Sequence, residues 1–176
     1  MQPGMKLHGS GFIVSPATAK ALGLVRIPGL DQHIRQYLNG RDLTQTSRSQ
    51  MVIDLFRLME DAVRQCFPAV WQHLQTNVLP ARSAIVDRTA DAAQYARDWW
   101  LHGKPRAELR KAMAELPRYI ATVETAKHRI FTFLLSGVLP DNMLVCTASF
   151  DALVLGVLQS WFHASYALAA GGTLED

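Results

Sequence analysis

The sequence predicts an α+β domain. A mixed, mostly antiparallel sheet carries an inserted helical segment over residues 58–116 and a long C-terminal helix packed on the sheet. Three observations predict it. Short runs of β-branched and aromatic residues recur near positions 11, 51, 118, 130 and 143. The intervening 58–116 stretch reads as helical, with an Ala-rich part over 81–98 in which Arg and Asp are spaced for helix-surface pairs. The apolar run Phe150 to Ala170 is interrupted by Gln159, Ser160, His163 and Ser165, so it reads as a core helix and not as a membrane span.

In chain order, Gly11 to Val14 reads as a strand, and Ser15 with Pro16 opens a helix that stops at Gly23. Ser accepts from the first free N–H groups, and Pro tolerates the first turn because its missing N–H is not needed there. Val25 to Ile27 reads as a further short strand, and Asn39-Gly40 as a tight turn placing Arg41 and Asp42 side by side. That pair fits a loop lock, and it equally fits an Arg41 presented to phosphate. Met51 to Phe56 is the clearest strand of the first half. Leu58 to Leu79 reads as helical with a break at Pro68, and Ala81 to Asp98 as an Ala-rich helix ending at Trp99-Trp100. Adjacent residues point apart on any regular element, so at least one Trp belongs to the core, and the other fits core, a covered surface, or stacking on a base or sugar. Pro105 to Leu116 forms a short amphipathic helix with Arg106, Arg110 and Lys111 on its polar side.

Arg118 to Thr122 and Ile130 to Leu134 are strand-like and flank Ala126-Lys127-His128-Arg129, three potential cations in succession. A solvated hairpin tip and a loop aimed at a polyanion both fit that pattern. Pro140-Asp141-Asn142 is a turn, Met143 to Ala148 a buried strand, and Ser149 or Asp151 caps the last helix, which ends at Gly171-Gly172.

The chain has 176 residues, enough for one domain with a proper core. Its 49% hydrophobic and 19% charged composition is that of a globular protein. The net charge is only +3, but residues 81–130 hold ten Lys/Arg against six Asp/Glu, while residues 131–176 hold no Lys or Arg and four acids. A pI near 9.1 permits nucleic-acid binding without demanding it. Cys66 and Cys146 have no metal-type spacing and read as free buried thiols of a cytoplasmic protein. No apolar signal segment opens the sequence.

Motifs for chemistry are missing. There is no Gly-x-Gly-x-x-Gly or Walker-type loop and no Gly-x-Ser-x-Gly elbow. The six histidines form no His-x-x-x-His or His-Glu-x-x-His pair, so no metal site and no catalytic residue is assigned. Asp54 is a lone acid in a strand that fits a functional role, although an acid on a sheet face is usually solvated or paired.

Eight phrases occur in one order: Gly4 to Gly9, Tyr37 to Leu43, Val52 to Phe56, Trp99-Trp100, Leu116 to Thr122, Ala126 to Arg129, Leu139 to Met143 and Ala169 to Asp176. Together, over essentially the whole chain, they resemble the target recognition domain of the MmeI-like DNA methyltransferases. Those are type II restriction-modification proteins that join an adenine methyltransferase to its specificity domain, often with a nuclease. The resemblance implies one DNA target recognition domain over 1–176, a fragment of a larger methyltransferase. The family's Asn-Pro-Pro-Tyr-type motif and glycine-rich S-adenosylmethionine loop do not occur in this sequence. The implied role is therefore sequence-specific duplex DNA recognition, without catalysis or cofactor in this chain. S-adenosylmethionine and adenine-N6 methylation would belong to the methyltransferase domain of the parent protein. Arg41, Arg48, Arg106, Arg118, Lys127, His128 and Arg129 are the candidate DNA contacts, since such a domain needs cations for phosphates and Arg for base edges. Arg118 and Lys127 fit equally as partners of buried acids. The alternative function is docking of a partner protein through Trp99, Trp100 and the apolar C-terminal helix.

Overall fold

The computed structural model describes residues 1–85, 89–125 and 130–170. Its strands are β1 (Gln2–Pro3), β2 (Ile13–Val14), β3 (Ile34–Leu38), β4 (Met51–Ile53), β5 (Arg118–Val123), β6 (Phe131–Leu135), β7 (Leu139–Pro140) and β8 (Leu144–Thr147). The fold is α+β, and the strands form two four-stranded sheets where one was expected. One has the order β1-β8-β5-β6, with every pair antiparallel. The other has the order β2-β4-β3-β7, antiparallel except for the β3–β7 pair.

The central strand β5 shows why the sheets hold. Tyr119, Ile120, Ala121 and Thr122 are all buried, so both faces of the strand are covered. Tyr119 and Ala121 join one continuous core with Leu134, Leu144, Cys146 and the β3–β4 residues Ile34, Tyr37, Val52 and Ile53. The Tyr119 hydroxyl donates to the Val138 carbonyl at 3.0 Å, satisfying the polar end of a side chain with no solvent exposure.

The first helix, α1 (Pro16–Ala21), is capped as its sequence predicts, with Ser15 Oγ accepting from the Thr18 N–H at 3.0 Å. Val25 to Ile27 is not a strand. Gly23 and Gly29 both have positive φ (105° and 80°), and the N–H groups of Arg26 and Ile27 return to the Gly23 carbonyl. Two left-handed reversals so close together leave no extended stretch to pair. Asn39-Gly40 is not a hairpin turn either. Asn39 is the N-cap of α2 (Gly40–Thr44), in a capping box with Asp42.

Helices α3 (Glu60–Cys66), α4 (Pro68–Asn77), α5 (Leu79–Ser83), α6 (Ala90–Arg97) and α7 (Ala107–Met113) fill the stretch predicted as helical. Pro68 begins α4 as a first-turn residue and Thr89 caps α6. Both Trp99 and Trp100 are core residues, packed with Trp71, and the Trp100 indole N–H donates to the Leu58 carbonyl at 3.0 Å. Their burial removes them from any docking surface. Cys146 is buried, with its thiol pushed up to about 12 by burial, whereas Cys66 is exposed, contrary to expectation.

The single long C-terminal helix is also corrected. It is two helices, α8 (Ala152–Gln159) and α9 (Trp161–Ala170), broken where Ser160 adopts an extended ψ of 150°. Asp151 caps α8, accepting from the Leu153 N–H at 2.7 Å. The pair is tied to β6 by Gln159, which donates to the Phe131 carbonyl, and by the edge-on contact of His163 with the Phe131 ring. No residue of α8 is fully buried, and Leu153, Val157, Trp161, Phe162 and Tyr166 are exposed. No helix among the described residues is long and apolar enough to cross a membrane.

Candidate nucleic-acid interface

Arg41 and Arg48 meet at one corner, built by the cap of α2. Asn39 Oδ1 accepts from the Arg41 and Asp42 N–H groups, and Asp42 Oδ2 accepts from the Asn39 N–H at 2.9 Å. The buried Asp42 carboxylate also receives the Arg48 guanidinium in bidentate fashion, at 3.1 Å from Nε and 2.9 Å from Nη2. Burial pushes the Asp42 carboxyl up, but Arg48 and the backbone N–H groups of Arg48 and Asn39 outweigh it and hold it at about 2. Arg48 is thus a lock for its own loop. A guanidinium has five N–H donors, and this pairing leaves some of them free on a side chain that is 45% exposed. Arg41 is exposed and makes no ion pair among the described residues. Beneath them the Tyr37 hydroxyl donates to Asp141, and burial raises its pKa far above the usual value.

This corner sits at the end of β5. A Cβ on Gly40 would lie 2.9 Å from a methyl of Val123, the last residue of that strand, so the close approach requires glycine. The chain then passes to Lys127, His128 and Arg129, which lie outside the described residues.

Arg118 and Arg106 are elsewhere. Arg118 opens β5, opposite Leu135 and at the far end from Val123. Its Nε donates to the Phe150 carbonyl at 3.2 Å, and its guanidinium stacks 3.7 Å over the Phe133 ring. Its partners are a carbonyl and an aromatic face, and the buried acid considered for it is not among them. Arg106 has left-handed backbone (φ 56°) and donates to the Gly4 carbonyl at 3.2 Å, fastening the chain start to α7. Of the four predicted cations among the described residues, Arg41 and Arg48 share a corner, and Arg106 and Arg118 hold backbone elsewhere.

Two buried hubs have partners that the sequence does not show, although Asp54 itself was singled out there as an acid usually solvated or paired. Asp54 receives Arg110 at 2.7 and 2.9 Å, with Arg35 at 3.7 Å. Burial pushes its carboxyl up, yet the cations Arg110 and Arg35 hold it below the ordinary range. His102 Nε2 lies 2.8 Å from the Ile53 carbonyl, so it must be the protonated nitrogen. Nδ1 is then an unpartnered acceptor 3.7 Å from Asp54, and burial pushes the imidazole down to about 4. A neutral, enclosed His facing an Arg-saturated carboxylate at that distance is a structural pair, too far apart and too shielded for acid–base work. The second hub is Arg82, whose guanidinium faces six backbone carbonyls. Neither hub has a sequence signal, because their partners are carbonyls and side chains from distant segments. Among the described residues no cluster of His, Cys, Asp and Glu is placed to hold a metal.

Two four-stranded, mostly antiparallel sheets, with five helices between β4 and β5 in the chain, define an α+β fold. Among solved structures the chain is similar to MmeI, a type IIL restriction-modification enzyme solved in complex with DNA, with a TM-score of 0.74 and 17% identity over 98% of this chain. The chain spans about a fifth (22%) of the length of that MmeI chain. At this identity the likeness establishes the fold. No protein-family profile and no curated protein sequence matches.

Proposed function

We propose that this chain is a DNA target recognition domain serving an S-adenosylmethionine-dependent adenine-N6 methyltransferase of a restriction-modification protein. The observation that carries the proposal is the likeness of nearly the whole chain to part of an enzyme solved with DNA. The corner of Arg41 and Arg48 supports it, since an exposed guanidinium and spare donors beside a rigid cap suit phosphate oxygens. S-adenosylmethionine and the methyl-transfer chemistry belong, in this reading, to the methyltransferase domain. The exposed apolar side chains of α8 and α9 favour a second role on another face, docking to that domain.

Binding to duplex DNA across a salt series tests the reading. Removing one phosphate contact lowers the slope of log K against log salt by about 0.9. Arg41→Ala and Arg129→Ala are each expected to lower it by roughly that much. Absence of binding at low salt, or slopes unchanged in both variants, refutes DNA contact by Arg41 and Arg129 and leaves docking as the role.

A further inference from the structure

A cavity of about 480 Å³ opens between α7 and the turn that joins β6 to β7. It lies at the Arg118–Leu135 end of the β5–β6 hairpin, away from the α2 corner, because Ser136 bonds back to Pro117. Four cations line it: Arg35, Arg57, Arg110 and Lys111. None of its lining residues is a carboxylate. Behind the wall, buried Asp54 neutralises one charge and fixes two of the guanidiniums, Arg110 bidentately and Arg35 at 3.7 Å. Arg35 is further clamped to the carbonyls of Ser136 and Gly137. These two cations are thus set in place before any ligand arrives.

Arg57 and Lys111 differ from them. Both are exposed, and among the described residues neither makes an ion pair. Arg57 holds left-handed backbone at φ 69°, a conformation that costs a non-glycine residue energy and that clusters at ligand sites. The guanidiniums of Arg57 and Arg110 both lie over the Phe56 ring, their carbons 5.3 and 4.5 Å from its centroid. On the opposite wall Gly137 leaves open space, since a Cβ there would meet nothing within 4 Å.

An excess of cationic charge around a concave, part-apolar site attracts an anion, and guanidiniums in fixed forks match phosphate oxygens. We propose that this cavity is a phosphate-binding site, with Arg35 and Arg110 as its rigid floor and Arg57 and Lys111 as the residues that close on the ligand. This inference does not rest on the DNA reading of the α2 corner. The same chemistry serves a phosphodiester of a nucleic-acid backbone and a free phosphorylated molecule.

The test uses the full chain, the double variant Arg57→Gln/Lys111→Gln, and a charge-matched control, Lys20→Gln/Arg97→Gln, whose residues are exposed and do not line the cavity. Inorganic pyrophosphate is titrated at low salt by calorimetry, and labelled duplex DNA by anisotropy across salt. Saturable pyrophosphate binding weakened at least tenfold by the cavity variant, and under twofold by the control, is the expected result. DNA affinity that falls with it, with a salt slope smaller by about two, identifies the backbone phosphodiester as the source. DNA affinity unchanged identifies a free phosphorylated ligand. If neither probe's binding responds to the cavity variant, or if the control loses as much, the proposal is overturned.

Discussion

Replacing Arg82 by Met is expected to remove a large share of the protein's stability without touching any proposed ligand contact. The Arg82 side chain is almost wholly buried, and six carbonyls, those of Leu7, His8, Tyr95, Asp98, Trp99 and Leu101, lie 2.8 to 3.2 Å from its nitrogens. Nη1 faces four of them with only two hydrogens, so the six cannot all be served at once. The bonds to Leu7 and Leu101, both 2.8 Å, count in full. At about 1.5–3 kcal/mol for each hydrogen bond from a charged donor, they amount to about 3–6 kcal/mol. Burial, opposed by Tyr95 and Asp98, lowers the guanidinium to about 10, so it stays charged at neutral pH and the charged figure applies. Against a total stability of about 5–15 kcal/mol, and about 2–4 °C of Tm per kcal/mol for a domain of this size, Tm should fall by roughly 6 to 24 °C. Urea titration followed by circular dichroism, with calorimetry alongside, measures this. Arg82→Lys should lose an intermediate amount, since one ammonium cannot reach acceptors on opposite sides of a planar fork. A loss below about 1 kcal/mol for Arg82→Met would show that water replaces the guanidinium, and would refute the hub.

Two further outcomes follow from the same kind of reasoning. His102 titrates at about 4 in the fold against an ordinary 6.5, and Asp42 at about 2 against 3.8. Both bind protons more weakly when folded, so the stability they carry is complete above their unfolded values. It is lost as pH falls, about 3 kcal/mol between pH 6.5 and 4 from His102 and about 1–2 kcal/mol more below 3.8 from Asp42. Urea midpoints from pH 7 to 3 check this, and a flat profile from 6.5 to 4.5 contradicts the buried neutral His102. In Gly4→Ala the new Cβ would lie 2.2 Å from the Asp141 carbonyl oxygen, a backbone atom that cannot swing away. The expected cost is about 3 kcal/mol, with faster exchange of the residue 4 and Met5 amides that donate to the Leu144 and Pro140 carbonyls, and a neutral outcome would show that the segment shifts freely.

The local part of this fold was legible. Ser15-Pro16 and Pro68 announce helix starts because caps act within a few residues, and the alternation of Arg118 to Thr122 marks the central strand. Asn39-Gly40 misled because the same dipeptide serves a hairpin turn and a cap. The deciding residue is Asp42, three positions on, whose carboxylate closes the box. The second sheet was not legible, since β3 gains its parallel neighbour from residues 139–140, and such pairing leaves no mark in either segment. The break at Ser160 stood in the list of polar interruptions, but an apolar run reads the same whether one helix or two carry it. At the candidate site, positive charge was visible and its partners were not. Arg106 and Arg118 hold carbonyls that only tertiary structure supplies, whereas Arg48 holds Asp42, six residues back.

Both sheets are completed by strands far apart along the chain, Gln2 opposite Cys146 and Tyr37 beside Leu139. Contacts that close such long loops form only after most of the chain's entropy is lost, so the domain should fold slowly for its size. The β5–β6 hairpin, joined by a short connection, can form first and act as the template on which β8 and then β1 dock. The helical segment between β4 and β5 is one long excursion within that closed circuit, and its length can change in evolution at little entropic cost while the sheets keep their register.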